Sequence, residues 1–525
     1  MLRIVRNFRT ALLASAALIS VMPAAQAASF IVSAGDGTAK ALAGGDLGTI
    51  DSSGNLTVTD GNPAVTWDTS GSTTPAMINN SGTINGTTGR GIDANTKATT
   101  AQSFTLNNLT AGSTVTSTVD AFRINKDIAG GTVTIANSGT ISSTGAQQAL
   151  DFAAITSPAT INITNNAGAF ITSAGNSVME LGGGHFNIVN NGTVQTTAAA
   201  SRGINYKPAD LTSLKEYSLT NGSASNSSAL ISSTDDAVRI SAGSLTGGSL
   251  TAAYAVTVDN FGTIKTNGAG SGQSIDFSDL VSANGSVHIT NEATGLLQSA
   301  DADGVKAGNN SVLDNYGKII GGNISAATGT DSGNDGVDFG ANAGTVNNYQ
   351  GGDITGARHG ITGKSNLIVN NSGAITGQDG GGINLDTTSG ITTITNTATG
   401  VITGNAVNAD GDAIDVDYLV NITNSGTIQA VGVDPASAGS LNEALAIGGG
   451  TVTNKLGGLI VSGERAITVD DSNKGNAFGA VTIDNAGTIT GQNGQAISIT
   501  SNFDNTLTNR ATGVINGSVV MGAGN

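Results

Sequence analysis

The sequence predicts an all-β protein: a parallel β-helix of about 15 coils, with three short strands per coil, preceded by a signal peptide. Three observations favour this fold. A short unit containing Asn, Gly and Ile or Val recurs along the chain, and a second unit recurs between its copies. Both units alternate apolar with polar residues, as half-buried β-strands do.

The first unit reads IANSGTI at residues 135–141, ITNSGTI at 422–428 and IDNAGTI at 483–489. Its Asn recurs on average about every 29 residues, a period typical of a solenoid. The Asn positions are Asn80, Asn108, Asn137, Asn165, Asn190, Asn221, Asn260, Asn291, Asn315, Asn348, Asn371, Asn396, Asn424, Asn454, Asn485 and Asn509.

The second unit consists of a small residue, an apolar one, a polar one and another apolar one. It reads ALDF at residues 149–152, GVDF at 336–339, AIDV at 413–416 and AISI at 496–499. Its average spacing is also about 29 residues, so two separate landmarks keep the same period.

The alternation predicts which side chains face the interior. In residues 481–489 the odd-numbered positions, among them Val481 and Asn485, are predicted to point inward. The even-numbered positions, among them Thr482 and Asp484, are predicted to face water. The inward Asn residues should then stack as an amide ladder at one corner, which is a structural role.

A signal peptide is predicted at residues 1–27. Three arginines precede the apolar run from Ala11 to Met22, and Ala25-Gln26-Ala27 resembles a cleavage site. The apolar run is too short to span a membrane, and the remainder holds no run of about 18 apolar residues.

Two further regions follow the signal peptide. Residues 28–75 are less regular and contain the single Trp, so we expect them to form an amino-terminal cap and first irregular coil. Residues 76–525 carry the repeats and end in mid-repeat. The longest insertions, at residues 207–234, 241–255, 431–443 and 470–479, are expected to be outward loops that form the contact surface.

The amino-acid composition of the chain limits the classes of molecule that it can bind. The formal net charge is -17, with 21 basic and 38 acidic residues, and no basic cluster exists that could displace counterions from nucleic acid. Nucleic acid is therefore excluded as a predicted partner. The exported chain has no Cys, so its stability must come from packing and backbone pairing.

The signal peptide, the Cys-free body rich in Gly, Asn and Thr, and the repeated NSGTI-type unit together resemble the passenger domain of a Gram-negative autotransporter. This resemblance implies a right-handed β-helix displayed at the cell surface, commonly as an adhesin. It also implies an outer-membrane translocator barrel, and this chain contains no aromatic-girdled strands of that kind. We therefore expect the barrel downstream or in trans, and a periplasmic location if no translocator is present.

The most enzyme-like segment is Asp235-Asp236 followed by Arg239, which resembles the paired-Asp strand of β-helical polygalacturonases. The Arg358-His359-Gly360 segment is similar to their His-Gly element. Glycosidase chemistry needs two carboxylates within about 10 Å of each other. Counting the second unit places His359 four coils from Asp236, about 19 Å away, so the two cannot share a catalytic centre.

Acidic residues are densest in two segments and recur just before the second unit. Oxygen-rich clusters can bind Ca²⁺, but the glycine-rich Ca²⁺ nonapeptide is absent, so a solvated acidic face is the favoured interpretation. The residues concerned are Asp331, Asp335, Asp338, Asp410, Asp412, Asp415 and Asp417, with Asp236 and Asp303 at equivalent positions.

Other chemistry is not indicated. His185, His288 and His359 have no His or Cys at ligand spacing, which argues against a transition-metal site. We therefore predict no catalytic residue, no cofactor and no metal site.

Three functions remain open. The favoured one is a non-catalytic adhesin or interaction scaffold at the cell surface or outside the cell, binding host or neighbouring-cell surface molecules or glycans through loops and lateral faces. The alternatives are a polysaccharide-active β-helix enzyme of glycosidase or lyase type, and a bare structural stalk.

Overall fold

The computed structural model describes residues 28–70, 72–243, 245, 247–268, 272–322, 334–406, 411–432, 442–472 and 475–524. In these residues the chain winds through successive coils of three short strands, and equivalent strands of neighbouring coils pair in parallel. The predicted right-handed parallel β-helix is confirmed. The predicted signal peptide, residues 1–27, lies outside the described residues.

The first strand of each coil belongs to one parallel sheet of 18 strands. These strands are β1 (Ala28–Val32), β4 (Leu47–Ile50), β7 (Ala76–Asn80), β10 (Phe104–Asn108), β13 (Thr132–Asn137), β16 (Thr160–Asn165), β19 (Gly184–Asn190), β22 (Leu214–Asn221), β25 (Ala255–Asn260), β28 (Ser286–Asn291), β31 (Ser311–Asn315), β34 (Gly344–Asn348), β37 (Leu367–Asn371), β40 (Ile391–Asn396), β43 (Leu419–Asn424), β46 (Gly450–Asn454), β49 (Val481–Asn485) and β51 (Thr506–Asn509).

The second strands stack in the same way. They are β2 (Gly35–Asp36), β5 (Asn55–Val58), β8 (Thr83–Gly86), β11 (Thr114–Ser117), β14 (Thr140–Ser143), β17 (Phe170–Ser173), β20 (Thr193–Thr196), β23 (Leu230–Ser233), β26 (Thr263–Thr266), β29 (Leu296–Gln298), β32 (Lys318–Gly321), β35 (Asp353–Gly356), β38 (Ala374–Gly377), β41 (Val401–Ala406), β44 (Thr427–Gly432), β47 (Leu459–Ser462), β50 (Thr488–Ile499) and β52 (Val514–Val520).

The third strands correspond to the second sequence unit. They are β3 (Lys40–Leu42), β6 (Val65–Trp67), β9 (Ile92–Ala94), β12 (Phe122–Ile124), β15 (Leu150–Phe152), β18 (Met179–Leu181), β21 (Ile204–Tyr206), β24 (Val238–Ile240), β27 (Ile275–Asp276), β30 (Val305–Lys306), β33 (Val337–Asp338), β36 (Ile361–Gly363), β39 (Ile383–Leu385), β42 (Ile414–Val416), β45 (Leu445–Ile447) and β48 (Ile467–Val469). Strand β50 pairs with both β47 and β48, which joins the second and third series into one sheet of 34 strands. The helical structure in the described residues is one 3₁₀ turn, Ser249–Thr251.

The predicted Asn ladder is present along the first sheet. Fifteen of the 16 Asn residues of the first unit, from Asn80 to Asn485, donate Nδ2–H to the Oδ1 of the equivalent Asn in the next coil, and the chain of bonds ends at the sixteenth, Asn509. The donor–acceptor distances lie between 2.7 and 2.9 Å. The ladder satisfies amide groups that would otherwise be buried without partners.

The Asn-x-Gly spacing of the first unit has a local cause. The Oδ1 of Asn137 accepts the backbone N–H of Gly139 at 3.2 Å, which closes a turn directly after β13. A Cβ on Gly139 would lie 2.1 Å from the carbonyl oxygen of Ser113 in the preceding coil. Glycine is therefore required where one coil passes closely over another.

The amino-terminal strands continue the same stack without the ladder. Strand β1 pairs with β4, and β4 pairs with β7, so that Val32, Ile50 and Asn80 are in register. Val32 and Ile50 are buried, and apolar packing replaces the amide ladder there. The sheet consequently has 18 strands, whereas the Asn repeat had indicated about 15 coils.

The interior is filled by the inward residues of all three strand series. In β49 the alternation is as predicted, with Val481 and Ile483 buried and Thr482 exposed. Aromatic rings stack along the axis near the amino-terminal end. The ring of Phe104 lies 4.8 Å from Trp67 and 5.3 Å from Phe122, measured between centroids.

Candidate functional site

A second column of polar side chains runs along the corner that precedes the third strands. Its members lie two residues before the first aligned residue of each third strand, and we call them the corner column. They are Arg90, Asp120, Gln148, Ser177, Arg202, Asp236, Gln273, Asp303, Asp335, His359, Asp412, Glu443, Arg465 and Gln495, and Gly381 occupies the same position without a side chain.

The corner column is held together by bonds from backbone to side chain between coils. The N–H of Gln273 donates to Oδ1 of Asp236 at 3.0 Å, and the N–H of Asp335 donates to Oδ1 of Asp303 at 3.0 Å. The N–H of His359 donates to Oδ1 of Asp335 at 2.9 Å. Further bonds of this kind join Ser177 to the N–H of Arg202, His359 to that of Gly381 and Asp412 to that of Glu443.

The predicted solvated acidic face is therefore wrong for four of its residues. Asp236, Asp303, Asp335 and Asp412 are only 1, 0, 3 and 5 % exposed. Their carboxylates are buried because they accept the amide protons that the corner leaves unpaired. Asp331 and Asp410 lie outside the described residues, and Asp338, Asp415 and Asp417 are partly exposed.

The paired aspartates form an ion-pair network with two arginines. Arg202 places Nε 3.0 Å from Oδ2 of Asp236 and Nη2 3.0 Å from Oδ2 of Asp235. Arg239 places Nη1 2.9 Å from the same Oδ2 of Asp236 and 3.2 Å from Oδ2 of Asp276. Both carboxylate oxygens of Asp236 are thus occupied, one by the two arginines and the other by the backbone N–H of Gln273.

An open cavity of about 750 Å³ lies over this network. One of its residues, Ala200, has a φ of +51°, which is strained for a residue with a Cβ. The lining residues are Thr197, Ala199, Ala200, Arg202, Thr234, Asp235, Asp236, Arg239, Gly268 and Gln273.

The second polar centre of the corner column consists of Asp303, Asp335 and His359 in successive coils. Burial, together with the carboxylate of Asp303, raises the pKa of Asp335 to about 8. Burial raises the pKa of Asp303 to about 6, although Lys306 Nζ lies 3.4 Å from its Oδ2. Burial, assisted by Arg358, lowers the pKa of His359 to about 3.

The tautomer of His359 follows from its contacts. Nδ1 accepts the N–H of Gly381 at 2.8 Å, so the proton of the neutral ring is on Nε2. Asp236 and His359 belong to the same column, four coils apart along β24, β27, β30, β33 and β36. At about 4.8 Å per coil they are about 19 Å apart, as the repeat count predicted.

The positions of the His, Asp and Glu side chains decide whether a metal ion could be coordinated. Within the part of the chain that the structure describes, no three His, Cys, Asp or Glu side chains are grouped to hold a metal ion. His185 lies 3.4 Å from Glu216, and His288 lies 2.8 Å from Asp314, each on the outer surface of the first sheet.

Comparison with protein-family models, curated proteins and solved structures found no match to this chain. In the described residues, no helix is long and apolar enough to cross a membrane. The architecture is therefore known from the structure itself, and any activity has to be argued from its surfaces.

The lateral face of the first sheet carries ordered rows of side chains. Asn107 donates to the Oδ1 of Asn79 at 2.9 Å. In the turns after β31 and β34, the rings of Tyr316 and Tyr349 stack with centroids 4.2 Å apart and planes inclined by 2°. The outer surface of the first sheet is therefore polar where Asn79 and Asn107 lie, with one aromatic pair at the neighbouring corner.

The predicted contact loops are only partly loops. Residues 207–234 contain the whole of β22, which has 8 residues, and the whole of β23, which has 4, so that part of this segment is strand. Residues 241–255 contain the 3₁₀ turn and the buried Tyr254. Residues 433–441 lie outside the described residues. In the segment 470–479, Phe478 lies 47 % exposed with its ring 5.0 Å from that of Tyr418.

Sequence reasoning recognised four aspartates of the corner column, because they recur just before the second unit, but it placed them on a solvated face and missed the other members and the cavity. The column was detectable, because its residues have the same parity as the inward residue two positions later. The cavity was not, since it depends on how residues 197–202 turn outward and bring Arg202 to aspartates more than 30 residues away.

Proposed function

We propose that this chain is a non-catalytic interaction scaffold of the adhesin type, which binds glycans or other surface molecules of host or neighbouring cells through its lateral faces and cavities. On this proposal the chain is exported by the signal peptide at residues 1–27 and acts at the cell surface or outside the cell. A translocator barrel, downstream or in trans, would carry it across the outer membrane.

The contacts made by the carboxylates of the paired aspartates, Asp235 and Asp236, support a non-catalytic role. Both carboxylates share the guanidinium group of Arg202, and Asp236 also receives Arg239 and a backbone N–H. A retaining or inverting glycosidase needs one carboxyl group to deliver a proton and a second to assist nucleophilic attack. Asp236 is 1 % exposed and fully occupied, so it is poorly placed for either task.

The shape of the molecule supports binding. Eighteen coils at about 4.8 Å each give a rod about 80 Å long, with outward rows such as Asn79 and Asn107 repeated along it. A repetitive surface of this length suits a ligand that is itself repetitive, because several weak contacts made at once give a high total affinity.

The proposal is tested with the purified chain in two parallel assays. One measures binding to epithelial cells, to bacterial cells and to an array of glycans. The other measures reducing ends released from neutral and acidic polysaccharides by the wild-type chain and by Asp235→Ala. We expect binding without release.

Each alternative has its own result in these assays. Release of reducing ends, or of unsaturated products, that disappears in Asp235→Ala would overturn the proposal in favour of a polysaccharide-active enzyme. Absence of both binding and release would overturn it in favour of a structural stalk.

A further inference from the structure

The cavity over Arg202 and Arg239 has the size of a small-ligand site. Its volume of about 750 Å³ lies within the range of about 300–1,000 Å³ that ligand pockets usually occupy. It is bounded by the loop at residues 197–202 on one side and by the corner column on the other. The strained φ of Ala200 lies at its rim.

The charges that line the cavity are paired with one another. Arg202 contacts Asp235 and Asp236, and Arg239 contacts Asp236 and, just outside the lining, Asp276. Two guanidinium groups thus face three carboxylates at distances of 2.9 to 3.2 Å. A charged ligand would have to compete with these pairs, whereas a neutral one would not.

Hydrogen-bond donors and acceptors that are not used within the protein remain at the cavity. The side-chain amide of Gln273 has no hydrogen-bond partner among the described residues, although this side chain is only 6 % exposed. The Arg239 side chain is 27 % exposed, so part of its guanidinium group faces the cavity, although its Nε is buried. Asp235 uses one oxygen for Arg202, which leaves its other oxygen as an acceptor.

This set of donors and acceptors matches hydroxyl groups. Each sugar hydroxyl can donate one hydrogen bond and accept two, so adjacent hydroxyls fit a surface that offers an amide, a guanidinium N–H and a carboxylate oxygen together. No aromatic ring is among the described residues that line the cavity, and binding would therefore depend on hydrogen bonds.

We propose that this cavity binds one or two residues of a neutral sugar chain. The inference rests on the proposed glycan-binding function and assigns it a site and a ligand class. A single contact of this kind is weak, with an expected Kd of about 0.1–1 mM, and adhesion would depend on many chains acting together.

The test is calorimetric titration of the full chain with five hexasaccharides. Three are neutral: maltohexaose, cellohexaose and mannohexaose. One is anionic, a hexamer of galacturonic acid, and one is cationic, a hexamer of glucosamine. We expect at least one neutral hexamer to bind at one site per chain, and to bind more tightly than either charged hexamer.

Two variants locate the site. Ala199→Trp fills the cavity from an exposed position and leaves every member of the ion pairs in the sequence, and should weaken binding about tenfold or more. Gln273→Leu removes the unpaired amide and should weaken it about fivefold. The matched control is Ala174→Trp, an exposed alanine in a turn after β17 outside the cavity lining, which should bind as the wild type does. Circular dichroism and the thermal midpoint check that each variant folds.

Several results would overturn the inference. Tighter binding of a charged hexamer that Ala199→Trp abolishes would overturn the ligand class. Neutral binding that persists in Ala199→Trp would overturn the site while leaving the proposed function intact. No binding of any neutral hexamer would overturn the inference, and only loss of cell and glycan-array binding as well would overturn the proposed function.

Discussion

The backbone N–H of His359 donates a 2.9 Å hydrogen bond to Oδ1 of Asp335, which lies one coil earlier in the same column. Each of these residues is a side-chain acceptor for the coil that follows and a backbone donor to the coil before. Serine, aspartate and histidine all accept a backbone N–H from the coil that follows, so the corner depends on a side-chain acceptor and not on one residue type.

The pH dependence of stability follows from Asp335. Its pKa is raised from 3.8 to about 8, so between these values the folded chain holds a proton that the unfolded chain releases. The stabilisation is complete below about pH 4 and is lost as the pH rises towards 8. We expect Asp335→Asn to flatten this decline, measured as the urea midpoint at several pH values.

The control for this series is Asp353→Asn, on the outward face of β35, which should keep the wild-type slope. An equal slope in Asp335→Asn and the wild type would contradict the prediction. His359 acts with the opposite sign: because its pKa is lowered to about 3, stability falls as the pH drops below about 6.5.

A single rung of the Asn ladder can be removed with a control on the same strand. Asn190 receives Nδ2–H of Asn165 and donates to Oδ1 of Asn221, both at 2.8 Å. Asn190→Ala removes the donor from Oδ1 of Asn221 in the interior, whereas Nδ2 of Asn165 keeps its bond to the carbonyl oxygen of Thr193. The orphaned oxygen should cost about 1–3 kcal/mol. Asn187→Ala, at an exposed position of β19, should have little effect on the denaturation midpoint. Similar midpoints for the two variants would argue against the ladder as a source of stability.

The close approach of coils at the Asn-x-Gly turn can be tested by adding one methyl group. Gly139→Ala would place a Cβ 2.1 Å from the carbonyl oxygen of Ser113. Because that oxygen belongs to the backbone, the strain cannot be relieved by a rotamer change, and we expect a loss of about 3 kcal/mol. Gly112→Ala, where no atom lies within 4 Å, is the control and should unfold at the wild-type midpoint.

The aromatic stack near the amino-terminal end should contribute strongly to local stability. Phe104 is fully buried between Trp67 and Phe122, and Phe104→Ala should cost about 3–5 kcal/mol. The fluorescence of Trp67, the single Trp, should shift to longer wavelength and report unfolding at lower denaturant. Phe170→Ala, which removes a ring that is 46 % exposed, should change neither signal.

The ion pairs of Arg202 and Arg510 should contribute differently to the free energy of unfolding. Arg202→Met removes one of two cations from Asp236, a carboxylate that is 1 % exposed, and should cost about 2 kcal/mol. Arg510 and Asp484 are 2.6 Å apart but lie at the surface, so Arg510→Met should have no measurable effect. Thermal unfolding compares the two, and equal losses would contradict the structural role given to Asp236.

The fold was largely predictable because the same residue types recur at equivalent positions of successive coils and so reveal the period. The ladder Asn, the Gly of the following turn and the third-strand unit such as residues 149–152 recur with their identity preserved. The two amino-terminal coils were harder to recognise, since Val32 and Ile50 occupy the ladder position without its amide.

The candidate site was less predictable for three physical reasons. The acceptors of the corner column vary between Ser177, Asp236 and His359, so no single residue type repeats there. The burial of Asp335 depends on an amide proton supplied from another coil. The cavity depends on a loop whose conformation no periodic pattern describes.

The Asn ladder has a consequence for damage. Each amide serves only the coil before and the coil after it, so the free energy of the rod is a sum over neighbours. A cut in a turn near the middle of the rod therefore leaves two shorter rods, each with more than the three or so repeats that such stacks need to remain folded. For a molecule exposed to proteases, cleavage in one coil would shorten the rod, and the remaining coils would stay folded.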